Sequence, residues 1–325
     1  MRTRFWLVGL ALAGASTVCC AQSWSPQKNV EIIAGSVPGG SNDKTARAIE
    51  HVLLAGKLVK TSLTVVNKGG GGGNIAYVYL SQHAADPHYL AVATDGLLSN
   101  HILGASQLSY TDFTPIALLF NDYVVIAVNS ASPIKTGRDL TERLKKDPQA
   151  VAIGFANAFG STRHISVALL MKALGGNPRE LKTVVFKGSA EAITALLGGH
   201  IDMVAIGATN ATVHMAGGRM RVIGVGAPQR LADAFAGVPT WREQGVDLVA
   251  GSWRGIVAPK GIGAAQVDYW EQALRRMAEA PEWKADLEKN YWFNDYKPSA
   301  PFRKELEKDY TEMKAALVDV GLVKP

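Results

Sequence analysis

Cysteine is nearly absent: the 325-residue chain has two, Cys19 and Cys20, both within its first twenty residues. The rest of the chain therefore has no disulfide, no thiol nucleophile and no thiolate metal site. Histidine does not fill the gap, because the seven histidines contain no His-x-x-x-His pair and no H-E-x-x-H string, so no metal is expected. Long apolar runs are also missing beyond the first twenty residues, where nothing approaches the about 20 residues of a membrane helix. Charge of one sign is scarce too: 34 Lys+Arg stand against 28 Asp+Glu, with no basic cluster longer than Lys145-Lys146 or Arg275-Arg276. No nucleic-acid footprint remains, and a small anionic ligand is favoured over DNA.

What is present begins with a leader. Arg2 and Arg4 precede an uncharged, mostly apolar run from Phe5 to Val18 that ends in small residues before Ala21, the layout of a secretory signal peptide. Cleavage is expected after Ala21, with the product exported. Lipid attachment at Cys19 or Cys20 is disfavoured, since Ser16-Thr17-Val18 fits a lipoprotein signal poorly. The length favours two domains over one, because single cores stop growing near about 250 to 300 residues.

Short β-branched runs alternate with helical patterns almost throughout, so the expected class is α/β with helix-covered sheets. Strands are read at 30–34, 63–66, 89–94, 115–120 and 122–128, then at 151–155, 183–186, 201–206, 220–226 and 252–258. The last helix places Phe302, Leu306, Tyr310, Met313, Leu317 and Val320 on one stripe.

Catalytic signatures fail in turn. Lys68-Gly69-Gly70-Gly71-Gly72-Gly73-Asn74 closes no G-x-G-x-x-G register and has no following Lys-Ser/Thr, so neither a dinucleotide cofactor nor a phosphate loop is indicated. That run reads either as bare backbone approaching a ligand or the opposite domain, or as a flexible turn. No G-x-S-x-G surrounds any serine. His164 lies three residues after Ser161 at a helix start, where a neutral imidazole ordering the loop is favoured over a catalytic base. The positive finding is three small-residue loops between strand and helix: Pro38-Gly39-Gly40-Ser41-Asn42-Asp43, Phe159-Gly160-Ser161-Thr162 and Lys187-Gly188-Ser189-Ala190. Each exposes backbone N–H groups at a helix N-terminus, which bind carboxylate or phosphate without a cationic side chain. Simple helix capping by Ser41, Asp43, Ser161 and Ser189 is the competing reading for any one loop.

The first loop, Val65-Val66-Asn67 leading into the glycines and Asn74-Ile75, Phe186-Lys187-Gly188-Ser189-Ala190, Leu197-Gly198-Gly199-His200-Ile201-Asp202, Val238-Pro239-Thr240 with Glu243 and Gly245, and Trp253-Arg254-Gly255 with Ala258-Pro259 together resemble the periplasmic solute-binding proteins of tripartite tricarboxylate transporters, the Bug or TctC family. The resemblance covers the chain in order after the leader. It implies a two-domain Venus-flytrap clamshell, each lobe a helix-covered mixed sheet, with 1–21 the signal peptide, 22–124 and 252–325 domain one, and 125–251 domain two. It implies no enzyme, but a monomer that closes on a small organic carboxylate and delivers it to membrane transporter subunits. Carried over, the ligand residues are Gly39, Gly40, Asn42, Thr94 and Asp95 on one side, and Ser161, Thr162, His164, Gly188 and Ser189 on the other.

The chain departs from the family pattern at four places. Ile206 stands where relatives often carry an acid, Ala168 where they often have Glu, Arg254 where Tyr or Phe is usual, and Asp95 where Ser is common. If Ile206 meets ligand, the far end of the pocket favours carboxylates without an amino group; otherwise it packs beneath the cleft. The alternatives carried forward are a secreted serine-type hydrolase using Ser161 and His164, and a sensor or orphan binding protein.

Overall fold

The computed structural model describes residues 24–156 and 159–324; the leader, Cys19, Cys20 and the cleavage position after Ala21 lie outside the described residues. The first elements are β1 (Val30–Ala34), α1 (Ser41–Ala55), β2 (Leu63–Asn67), α2 (Asn74–Ser81), β3 (Tyr89–Thr94), α3 (Gly96–Ile102) and β4 (Phe113–Asn129). Then come α4 (Gly137–Lys146), β5 (Ile153–Ala156), α5 (Thr162–Ala173), β6 (Thr183–Phe186), α6 (Ser189–Leu197), β7 (Met203–Gly207), α7 (Ala208–Ala216) and β8 (Met220–Val225). The chain finishes with β9 (Gly251–Pro259), α8 (Ala264–Glu279), α9 (Pro281–Asn290), β10 (Phe293–Pro298) and α10 (Ser299–Asp319).

One strand organises the sheet. The order is β2-β1-β3-β9-β4-β7-β5-β6, with β8 and β10 also paired to β4. Residues 113–123 of β4 pair antiparallel with β9, and residues 124–128 pair antiparallel with β7. On either side of it lie parallel strands, β2-β1-β3 in one half and β7-β5-β6 in the other. The expected strands at 115–120 and 122–128 are thus one strand of 17 residues. Its burial is almost unbroken because helices cover both faces, which is why it reads as a continuous apolar run rather than an alternating one.

Each half has its own core. Phe120, Ile49, Leu53, Trp270 and Trp283 pack where α1, α8 and α9 cover the first half, and Phe302, Leu306 and Trp253 fill its other face beneath α10. In the second half Phe155, Leu140, Leu144, Leu170 and Trp241 pack on one face, and Val125, Val204, Ile206 and Phe235 on the other. Each such aliphatic or Phe side chain contributes about 1.5–3 kcal/mol by leaving water.

The C-terminal segment touches both halves. Leu317 and Ala316 of α10 pack on Ile165 of α5, Lys172 of α5 pairs with Asp319, and Arg179 donates to the Val318 and Asp319 carbonyls. At the preceding turn the Thr209 hydroxyl donates to the Asn290 carbonyl, and Tyr291 packs edge-on against Phe235 at 5.2 Å.

Candidate functional site

The two half-sheets join along β4. Thr94, the last residue of β3, pairs with Arg254, which also pairs with Phe120; Asp122 pairs with Ser252; and Gly207, the last residue of β7, pairs with Val124. The carboxyl ends of parallel strands from both halves therefore converge on residues 120–124 and 251–254, the place where open α/β sheets bind ligands.

From the first half comes the β1–α1 loop, and Asp43 organises it. This carboxylate is 3% exposed. Its Oδ2 accepts the Gly39 N–H at 2.8 Å and Arg47 Nε at 3.0 Å, and its Oδ1 accepts Asn67 Nδ2 at 2.9 Å. Burial opposes ionisation, but Arg47, the Gly39 N–H and Asn67 outweigh it and hold the carboxyl below its usual value. Asn67 also donates to the Ser36 carbonyl, and the Asp43 N–H donates to Ser36 Oγ. The Gly40 N–H is spent on the Val37 carbonyl at 3.0 Å. Two expected donors, Gly39 and Gly40, are thus used inside the loop, and the N–H groups of Ser41 and Asn42 are the ones left free at the start of α1.

The five-glycine run supports this loop from its own half. Gly70 to Gly73 all have positive φ, a path open to glycine alone over four successive residues. A Cβ on Gly69 would stand 2.9 Å from the Ser36–Val37 backbone, and Asn100 Nδ2 donates to the carbonyls of Gly71 and Gly72. The run packs on neighbouring loops rather than on the opposite half.

In the second half Ser161 caps α5. Its Oγ accepts the His164 N–H at 3.5 Å and donates to the Ala156 carbonyl at 3.3 Å. His164 is buried between Phe155 and Phe159, ring centroids 4.9 and 5.1 Å away, and its Nδ1 accepts the Gly160 N–H at 3.0 Å. Burial pushes its pKa down to about 4, so the imidazole is neutral. The ring orders the loop and makes no bond to the Ser161 hydroxyl, so nucleophile and base are not coupled as acyl transfer requires. Among the described residues nothing takes the N–H groups of Thr162 and Arg163, or those of Ser189 and Ala190 at the start of α6. Gly188 faces open space, and Glu191 folds back to take the Lys187 N–H.

Between these loops lies a charged floor that the sequence reading reached only in part. Arg254, 5% exposed, sends Nη1 to the Ser252 hydroxyl at 2.6 Å and to the carbonyls of Ser252 and Trp253, and Nη2 to the Ser41 hydroxyl at 2.9 Å. Ser252 in turn donates its proton to Asp95 Oδ1 at 2.6 Å. Burial lowers the Arg254 pKa, opposed by Asp122 and Asp95. Burial also raises Asp122, opposed by Arg163 and Arg254. Among the described residues four buried polar atoms here have no partner: Asp122 Oδ1, Thr162 Oγ1, Arg163 Nε and Arg254 Nε. More than nine in ten buried polar groups are normally paired, so this cluster calls for a polar guest, water or ligand. A cavity of about 390 Å³ opens beside it, with Asp95, Thr162, Leu169, Trp253 and Met313 on its walls.

Two expected positions, Ile206 and Thr94, and one departure from the family pattern, Ala168, carry other duties. Ile206 is fully buried opposite Val125 in the core of the second half and presents nothing to the cleft. A preference against amino groups therefore cannot rest on it. The Thr94 hydroxyl accepts the Gly96 N–H at the start of α3, and Ala168 is buried on α5. Asp122, Arg163 and Ser252 are not among the expected residues and Asp43 is expected only as a cap; a carboxylate inside an apolar strand run was the available signal for Asp122. Among the described residues no cluster of three His, Asp or Glu could hold a metal, and no helix is long and apolar enough to cross a membrane.

The family model for the tripartite tricarboxylate transporter family receptor matches residues 46–320. The UPF0065 protein in the gbd 5′ region of Cupriavidus necator is 26% identical over 310 residues, which is 92% of this chain and 89% of that protein. A ligand-free TctC solute-binding protein from Polaromonas superposes with a TM-score of 0.76 at 25% identity, covering 90% of this chain and 98% of the other. MatC from Rhodopseudomonas palustris, with bound malate, shares the fold at a TM-score of 0.73 and 23% identity, covering 90% and 99%.

Proposed function

The chain belongs to the tripartite tricarboxylate transporter receptor family, and from that premise we propose that it is a periplasmic monomer that captures a small organic carboxylate and passes it to membrane transporter subunits. The observation that carries this reading is the set of helix-start N–H groups with no partner among the described residues, Ser41 and Asn42 from one half and Thr162, Arg163, Ser189 and Ala190 from the other, where α1, α5 and α6 follow β1, β5 and β6. Such donors lie at the positive ends of helix dipoles and match the oxygens of a carboxylate. MatC, of the same fold, has malate bound. Closing the halves removes water, and each N–H to carboxylate bond strengthens as the local dielectric falls.

Binding without chemistry is the expectation, because the Ser161 hydroxyl and the His164 ring are each committed to loop backbone. Export removes residues 1–21, so that the mature chain starts at Gln22. Native mass spectrometry of the exported protein, purified without denaturation, tests the reading: one small organic acid should ride on a chain starting at Gln22. Ester or amide turnover that disappears in Ser161→Ala would instead support the hydrolase.

A further inference from the structure

We propose that Asp309 on α10 couples ligand capture to a proton: the halves close with its carboxyl neutral and part with it ionised, so closure on a ligand takes up one proton. The inference rests on the carboxylate reading and adds a control on closure.

Asp309 stands where the two halves face one another. α10 belongs to the first half, where Phe302 and Leu306 pack with Trp253, and the half-buried Asp309 lies in the walls of two adjoining cavities. In the first, of about 390 Å³, it shares the walls with Ile165 and Leu169 of α5. In the second, of about 590 Å³, it shares them with Asp247 and Val249, whose neighbours Val246, Leu248 and Ala250 pack in the core of the second half. A carboxyl placed there loses water when the halves come together and regains it when they part.

Its surroundings are poorly suited to a negative charge. Each Lys or Arg on the cavity walls is engaged by another acid: Lys172 by Asp319, Arg242 by Asp247 at 2.8 Å, and Lys308 by Glu312 at 4.0 Å. Lys297 of β10 serves Asp295 and Glu305, both at 3.2 Å, and Asp95 is bonded to Ser252. Among the described residues no ion pair includes Asp309. Glu305 lies one turn before it and Glu312 one turn after it on α10, and like charges at those helical spacings repel. Burial, then Glu305 and Glu312, push the Asp309 carboxyl up to about 7 against the pull of Lys308 and the Trp253 indole. Tyr123, on the wall of the second cavity, is pushed up to about 12 and stays neutral.

With the halves apart and the carboxyl hydrated, its pKa returns toward the ordinary 3.8. Between that value and about 7 the closed form binds a proton that the open form has released, so affinity falls as pH rises and levels off above about 7. The ligand's own ionisation has the opposite sign, since a carboxylic acid binds better once it is charged. His164, held near 4, stays neutral over the upper part of this range and contributes nothing there.

Isothermal titration at pH 6 and pH 8.5 with mono-, di- and tricarboxylates of two to eight carbons, in pairs of buffers of different ionisation enthalpy, tests the proposal. For whichever acid binds the parent tightest, affinity at pH 8.5 should be roughly tenfold weaker than at pH 6, with close to one proton taken up per ligand at pH 6 and almost none at pH 8.5. Asp309→Asn is neutral at both pH values, so it should hold the parent's pH 6 affinity at both and take up no proton. Glu305→Gln removes a charge that raises the carboxyl, so the fall in affinity should move to lower pH. Parent affinity that holds or rises toward pH 8.5, or proton uptake that persists in Asp309→Asn, overturns the assignment while leaving the carboxylate reading in place. If Asp309→Asn does not fold, the parent and Glu305→Gln decide: a fall in affinity that does not move in Glu305→Gln overturns the assignment. A parent that binds none of the acids at either pH overturns the carboxylate reading and the inference with it.

Discussion

His164 gives the site a pH dependence whose sign follows from burial. Its pKa falls from the ordinary 6.5 to about 4 because the ring sits among Phe155 and Phe159. Between those values the unfolded chain binds a proton that the folded chain refuses, so stability is full above about 6.5 and declines as pH falls toward 4. The loss approaches about 3 kcal/mol at its limit. His164→Asn keeps an acceptor for the Gly160 N–H without titrating, so its denaturation midpoint should vary less with pH across this window; an unchanged slope would show that His164 is not the group responsible. The spacing of Ser161 and His164 made this loop visible in the sequence. Asp43 was visible only as a possible cap, because its partners Gly39, Arg47 and Asn67 are brought together by the fold. Ile206 could not be assigned a face at all, since every residue of β7 is buried and alternation carries no information there.

At the level of elements, β4 shows where local reading stops. Asn121 between the expected strands 115–120 and 122–128 looks like a break, yet the strand continues because Asn121 pairs with Trp253 and Asp122 with Ser252, and Asp122 is met by the start of α7. The α/β class was legible from alternating strand and helix patterns; the continuity of this strand was not, since it depends on a partner far along the chain. Close packing at this point is testable. A Cβ on Gly207 would stand 2.7 Å from Asp122 Oδ2 and 3.0 Å from Oδ1, and that side chain is buried. Gly207→Ala should cost about 1–3 kcal/mol by denaturant unfolding, and adding Asp122→Ala should recover part of that loss. Additive losses in the double variant would place the strain elsewhere.

Across the whole molecule, two half-sheets share β4 and are spanned again by the C-terminal segment, with α10 ending on α5 and the α9–β10 turn resting near α7. No local sequence pattern announces such contacts, because Lys172 and Asp319 are brought together only by the finished fold. The binding account depends on this architecture: donors from both halves serve one carboxylate only if a ligand draws the halves together. Isothermal titration calorimetry of the mature parent protein, repeated at several temperatures with small organic acids, tests that claim most directly. The account predicts saturable one-to-one binding of a carboxylate with a negative heat-capacity change, as closure buries apolar surface. Absence of saturable binding across mono-, di- and tricarboxylates would contradict it.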